Sequence, residues 1–342
     1  MRLPEYMSPT SLALYEKDKT LYCLQYMADN RPVRIPQTQP MSVGSSFDAH
    51  AKSFLHEALI GKDPRFELNT IFESQVEPHN RDWALPAGAY CFEMYKRSGA
   101  LTDLMTELGT AVGQPRFEFA IKGTVEGKRE GLVTVEAGVP LLGKPDIFFI
   151  NKEGAHVTYD WKVNGFCAAR MTSPKQGYVK VRDSWKTDGT NPFAPGRYFP
   201  PSKNVNQPHK DALLMTWKGI QINVNCYLEQ TDRGWADQLA TYSWLLGEPI
   251  GSECVIGIDQ LCCVPQVDTT YPLVRVASHR TRISELYQQD VLRRYQQAWA
   301  RINSGYFFSE LTREESDKQC AMLDANTMNG DTFDQLTRLG VD

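Results

Sequence analysis

Residues 144–165 read KPDIFFINKEGAHVTYDWKVNG. Two apolar runs are joined by a turn; Asp146 opens the first, Asp160 closes the second, and Lys162 stands two residues further on. Short runs rich in β-branched and aromatic residues, split by a glycine-containing turn, predict a β-hairpin. Burying an unpaired charge costs several kcal/mol, so strands that otherwise look like core tolerate two carboxylates only beside a partner. Residues two apart on a strand share a face, which groups Asp160 with Lys162. A five-residue loop, Asn151 to Ala155, would set Asp146 directly opposite Asp160, about 4.5–5.5 Å away between Cβ atoms. A four-residue loop would put the two on opposite faces.

Carboxylates that close repel unless one is protonated or a cation lies between them. Lys162 can supply that cation, and a divalent metal does so better. Two aspartates suit Mg²⁺ or Mn²⁺, which keep several waters and bind substrate phosphate. Such an ion lowers the pKa of a bound water and stabilises charge on phosphoryl oxygens, while a lysine can orient the nucleophile and stabilise the developing charge. The rival reading is an ion pair at the end of a surface hairpin. For an isolated D-x-K that reading is the stronger, so the rest of the chain has to decide.

Composition narrows the field. At 342 residues, 42% hydrophobic and 23% charged, the chain is an ordinary globular protein of one large domain or two small ones. No apolar run approaches the ~20 residues that span a bilayer, and MRLPEYMSPTSLALYEKDK lacks the basic and apolar regions of a secretory signal. A cytoplasmic protein is expected. Its eight cysteines then read as reduced core thiols; the one close pair is Cys262-Cys263 and no C-x-x-C occurs, which argues against a zinc or iron–sulfur site. The net charge of −4 excludes a uniformly basic nucleic-acid coat, yet Val163 to Lys218 holds nine Lys/Arg, three Asp and no Glu.

Along the chain, Ser8 and Pro9 open a helix to about Ala28, with Leu12, Tyr15, Tyr22 and Tyr26 in helical register. Residues 31–40 read as a proline-rich loop, and a second helix is expected from Ser46 to Ile60. Its stripe of Phe47, His50, Phe54 and Ala58 turns His50 toward the core. A helical stretch over 85–113 precedes strands in RFEFAIKG, LVTVEAG, PDIFFI and HVTYDWKV. After an irregular segment over 165–210 come a strand at 219–228, a helix capped by Thr231 or Asp232 and ended by Gly247, strands in ECVIGIDQLCCV and LVRVAS, and a helix from Thr281 to Ser304. The class is α/β: a mixed central β-sheet flanked by helices.

Three residues join the aspartates. His50 on an apolar helical face is more often a core histidine than a ligand. Gln238 and Tyr242 lie at i, i+4 and share a helix face; Tyr242 alone reads as core, but a buried Gln238 needs partners. The ordered set SPTSLALYE, GSSFDAHAKSFL, GVPLLGKPDIFFI, VTYDWKV and DQLATYSWLL, spanning roughly residues 8–310, resembles the RecB-like nucleases of the PD-(D/E)XK superfamily. That family includes phage exonucleases and CRISPR-associated and AddB-type relatives.

The resemblance implies a restriction-endonuclease-like core and a Mg²⁺- or Mn²⁺-dependent DNA nuclease, an exonuclease of recombination, repair or phage DNA processing. It makes His50, Asp146, Asp160 and the Trp161 carbonyl metal ligands, Lys162 catalytic with Asp146 and Asp160, and Gln238 and Tyr242 contacts to nucleic acid. The Gly44–His50 spacing is looser than the family's G-x-x-x-H. Many relatives carry a four-cysteine iron–sulfur cluster; here YEKDKTLYC and a lone Cys320 in the tail predict no cluster. One nuclease domain over 1–342 is expected: a helical part at 8–113, the sheet core with its catalytic hairpin at 117–163 and 219–276, a basic insertion at 164–218, and a helical extension at 281–342.

Cations of the insertion, among them Lys175, Lys180 and Arg182, alternate with aromatics such as Tyr178 and Trp185. Cations on phosphates and aromatics on bases hold single strands; a solvated loop anchored by its aromatics is the equal alternative. Linear DNA is the expected partner, with a recombinase or helicase partner and an oligomer allowed by the resemblance, and no membrane. The alternative function is a non-cleaving nucleic-acid-binding or assembly protein on a nuclease scaffold.

Overall fold

The structure, a computed structural model, describes residues 1–29, 31, 36–117, 120–125, 138–168, 214–224, 227–230, 232–251, 254–264 and 269–326. Its helices are α1 (Pro9–Lys17), α2 (Lys19–Tyr22), α3 (Gln39–Leu59), α4 (Leu68–Gln75), α5 (Arg81–Ser98), α6 (Ala100–Gly109), α7 (Arg233–Leu245), α8 (Glu285–Asn303) and α9 (Arg313–Asn326). The strands are β1 (Arg116–Phe117), β2 (Ile121–Val125), β3 (Val139–Gly143), β4 (Ile147–Ile150), β5 (His156–Asn164), β6 (Leu214–Trp217), β7 (Ile220–Asn223), β8 (Val255–Val264) and β9 (Leu273–Thr281). Five of them form a central sheet in the order β1-β4-β5-β8-β9, and β2–β3 and β6–β7 form separate pairs. Only β5 and β8 run parallel in the central sheet; its other neighbours are antiparallel.

Helices cover both faces, as the strand pattern requires. Tyr159 and Trp161 of β5 pack with Phe47, Tyr95 and Leu104 from α3, α5 and α6. The opposite face carries Ile256 and Ile258 of β8 against Leu239, Tyr295 and Leu12 from α7, α8 and α1. Asp160 and Lys162, one residue out of phase with Trp161, therefore belong to the α7 side. The expected mixed α/β sheet flanked by helices is the architecture found. Among the described residues no helix is long and apolar enough to cross a membrane.

Several boundaries differ from the sequence expectation, each for a local reason. The first helix breaks at Asp18, whose backbone is extended and whose carboxylate accepts from Leu21 N to start α2; a π-turn follows over Cys23–Met27. Helix α3 begins at Gln39, inside the expected proline-rich loop, because Pro40 falls in the first turn, where a missing N–H costs nothing. The expected helix over 85–113 is two helices, divided at Gly99 with φ of 87°. Strand β9 runs on to Thr281, so the C-terminal helix starts later, at Glu285 behind a Ser284 cap. The strand expected in LVTVEAG and most of the basic insertion, including Lys175, Lys180 and Arg182, lie outside the described residues.

Hairpin β4–β5 sets the rest in place. Its partners run from Ile147↔Tyr159 to Ile150↔His156, leaving the five residues 151–155 as the loop. Continued by one residue, that register sets Asp146 opposite Asp160. The loop is five residues long because Asn151 builds it: its Oδ1 accepts from Glu153 N at 3.0 Å and Ala155 N at 2.7 Å, and its Nδ2 donates to Lys218 O at 2.6 Å. Gly154 closes the turn at φ 79°, a conformation that disfavours side chains. Asn151→Ala should destabilise the protein by about 1–3 kcal/mol, since a buried N–H loses its acceptor. Asn151→Ser, whose hydroxyl can still accept within the turn, should lose less; urea unfolding of the two variants tests this.

Candidate metal centre

Asp146 precedes β4 by one residue, so the sheet is open beside it. Its Oδ2 accepts from Trp161 N at 3.2 Å. In an antiparallel pair the N–H and C=O of one residue project to the same edge. The Trp161 carbonyl therefore also leaves β5 on the Asp146 side, beyond the start of β4, with no strand residue to receive it. Two carboxylates and a carbonyl thus meet at one corner of the hairpin.

Helices α3 and α7 close the corner from either side. From α7, Gln238 Oε1 accepts from Lys162 Nζ at 2.8 Å, and its Nε2 donates to Asp160 Oδ1 at 3.3 Å and to the Tyr242 hydroxyl at 3.1 Å. Lys162 Nζ also lies 2.5 Å from Asp160 Oδ2. From α3, Lys52 Nζ sits 2.6 Å from Asp48 Oδ2 and 3.0 Å from Asp146 Oδ1. Gln75, the last residue of α4, donates to Asp48 at 3.0 Å. A cavity of about 300 Å³ opens here, lined by Gly44, Ser45, Phe47, Asp48, Lys52, Gln75, Lys144, Asp146, Trp161 and Val163.

The close approach of α7 depends on Gly143 at the end of β3. A Cβ on Gly143 would come within 2.7 Å of Leu245 Cδ1 and 2.8 Å of Tyr242 Cδ1. On the far face of β5, Trp161 Nε1 donates to the Tyr95 hydroxyl at 3.3 Å, and Tyr95 donates to buried Asp259. Arg280 then lies 3.7 Å from Asp259 and 3.4 Å from Glu107. That charged network fixes the strand whose other face carries Asp160.

Electrostatics separate the two aspartates. Burial pushes the Asp160 carboxyl up to about 7, Lys162 opposing and Asp146 adding to the rise. Burial is the largest influence on Asp146 and acts in the same sense, but Lys52, Asp160 and Lys162 together outweigh it and hold that carboxyl below its usual range. Burial raises the Tyr242 phenol well above its usual value, so it stays neutral and able to accept from Gln238.

Of the residues singled out from sequence, Asp146, Asp160, Trp161, Lys162, Gln238 and Tyr242 are brought together. His50 is not. It stands two residues from both Asp48 and Lys52, about 200° around the helix, with Nδ1 2.8 Å from Ser46 O and its ring 6.2 Å from Phe92. The α3 side chain that reaches Asp146 is Lys52, with Asp48 beside it. Gly44 lies four residues before Asp48, and Asp48 four before Lys52, a one-face spacing that would have pointed to both. Tyr242 is 8% exposed and backs Gln238, which places its part in support of the site rather than on its surface.

Among the described residues no three His, Cys, Asp or Glu side chains converge as a ready metal cage. The donors on offer are two carboxylates and a backbone carbonyl. That hard, sparse oxygen set fits Mg²⁺ or Mn²⁺, which bind through one or two carboxylates and keep waters for substrate to displace. No family model matches the chain, and no curated protein matches it either.

Gly143→Ala should cost about 1–3 kcal/mol by overpacking against Tyr242 and Leu245. Gly109→Ala on α6, where a Cβ meets nothing within 4 Å, should be neutral or stabilising. Paired denaturation curves of the two variants check the contrast.

Proposed function

We propose that this chain is a Mg²⁺- or Mn²⁺-dependent deoxyribonuclease with a restriction-endonuclease-like core. The observation that carries the reading is the corner where Asp146 faces Asp160, with Lys162 bonded to Asp160 and to Gln238. An ordinary surface ion pair needs neither the second carboxylate nor a glutamine that holds both members of the pair. The likeness to RecB-like nucleases supplies the chemistry, and the basic stretch from Val163 to Lys218 supplies charge suited to a phosphate backbone. The same likeness points to linear DNA ends as substrate and to recombination, repair or phage DNA processing inside a cell.

Asp146, Asp160 and the Trp161 carbonyl would hold the ion. Bound there, it would polarise the scissile phosphate and lower the pKa of a coordinated water. Lys162 would orient the attacking water and stabilise charge on the phosphoryl oxygens. Gln238 fixes the Lys162 ammonium by accepting a hydrogen bond from it, and Tyr242 fixes Gln238 by accepting one in turn. Water would add to phosphorus and give up a proton, the bond to the leaving sugar oxygen would break, and that oxygen would take up a proton from solvent, so that one proton passes overall from the water to the leaving alcohol.

The test is incubation with end-labelled linear single- and double-stranded DNA and closed circles in Mn²⁺, with EDTA and Lys162→Ala as parallel arms. Metal-dependent cleavage that falls about 10²–10³-fold in the variant is expected, the usual loss for one group stabilising a transition-state charge. Sparing of circles would specify an exonuclease. DNA binding without cleavage in the wild type would instead favour a binding or assembly protein on this scaffold.

A further inference from the structure

We infer that the Lys52 ammonium stands where a second metal ion would sit, so that the centre takes one divalent cation rather than two. The inference rests on the metal-dependent reading above.

Lys52 is 2% exposed although it is charged. Lysine is almost never buried this far unless paired, and here its ammonium bridges two carboxylates, at 2.6 Å from Asp48 and 3.0 Å from Asp146. Centres with two metal ions hold them about 3.5–4 Å apart, a separation that a single shared carboxylate can span. Asp146 has the position of such a carboxylate, with Asp160 on one side of it and Asp48 on the other. The ammonium fills the Asp48 side. The Asp160 side, with the Trp161 carbonyl, is left for the ion.

The ammonium is also held to its place. Gln75 donates to Asp48 at 3.0 Å and orients it, while Trp161 N anchors the far oxygen of Asp146. A second ion would have to displace an ammonium held in this way from between the two carboxylates.

The experiment counts Mn²⁺ on the full-length protein by equilibrium dialysis and native mass spectrometry, with Asp160→Asn as the baseline for unrelated sites. Electron paramagnetic resonance reports whether bound ions are coupled. Wild type should hold one uncoupled ion, and Lys52→Arg, which keeps the charge, should hold one as well. Lys52→Met should hold two, with the exchange-coupled spectrum of a bridged pair. Lys52→Ala, which vacates the position altogether, repeats the test in case the methionine variant does not fold. Two coupled ions in the wild type overturn the inference without any variant, and leave the nuclease reading standing. A folded neutral variant that holds one ion overturns it too. No Mn²⁺ above the baseline in wild type overturns both the inference and the reading beneath it.

Discussion

Two carboxylates held face to face across the open end of β4–β5 are the constraint around which the surrounding structure is arranged. Like charges at that separation are unstable without a cation, and each neighbour of the pair answers to that fact. Lys162 neutralises Asp160 along the strand, Lys52 reaches Asp146 from α3, and Gln238 descends from α7 to bind both Asp160 and Lys162. The pairing itself depends on a backbone detail. Because the loop has five residues and the strand period is two, one residue more or less would turn one aspartate to the other face. Asn151 and Gly154 are thus as much a part of the centre as the groups that touch it.

The layers explain why the corner is rigid. Helix α3 meets β5 through Phe47 on Trp161, with ring centroids 6.1 Å apart, and α7 meets β3 across the bare Cα of Gly143. Both helices therefore approach on contacts that leave little room for adjustment. A buried ammonium or carboxylate is costly when left alone, yet each one here has a counter-charge within 3.0 Å. The arrangement is close to balanced in charge by its own side chains.

Much of this was legible in the sequence because it is local. Period-two alternation and turn chemistry give the hairpin and its register, and i, i+4 spacing puts Gln238 and Tyr242 on one helix face. Helix α3 was not legible in the same way. Its apolar stripe suggested Phe47, His50, Phe54 and Ala58, but Phe54 is 41% exposed, and the buried line runs through Val43, Phe47, Ala51 and Leu55. On that helix Lys52 is buried by pairing with Asp48 one turn earlier and with Asp146, 94 positions away. Hydrophobic periodicity cannot register a charge whose burial is made affordable by a distant partner. The helix boundaries slipped for the converse reason, since Asp18, Pro40 and Gly99 act at single positions within otherwise continuous patterns.

The most direct measurement is anomalous diffraction near the manganese edge from crystals soaked in Mn²⁺. The centre described here requires a peak between Asp146 and Asp160, about 2.0–2.2 Å from a carboxylate oxygen of each, as for a hard divalent ion on oxygen ligands. It also requires that Lys162 release Asp160 while keeping its bond to Gln238. Crystals that show no peak at that corner, with Lys162 still seated on Asp160, would reduce the pair to a structural salt bridge and contradict the metal centre.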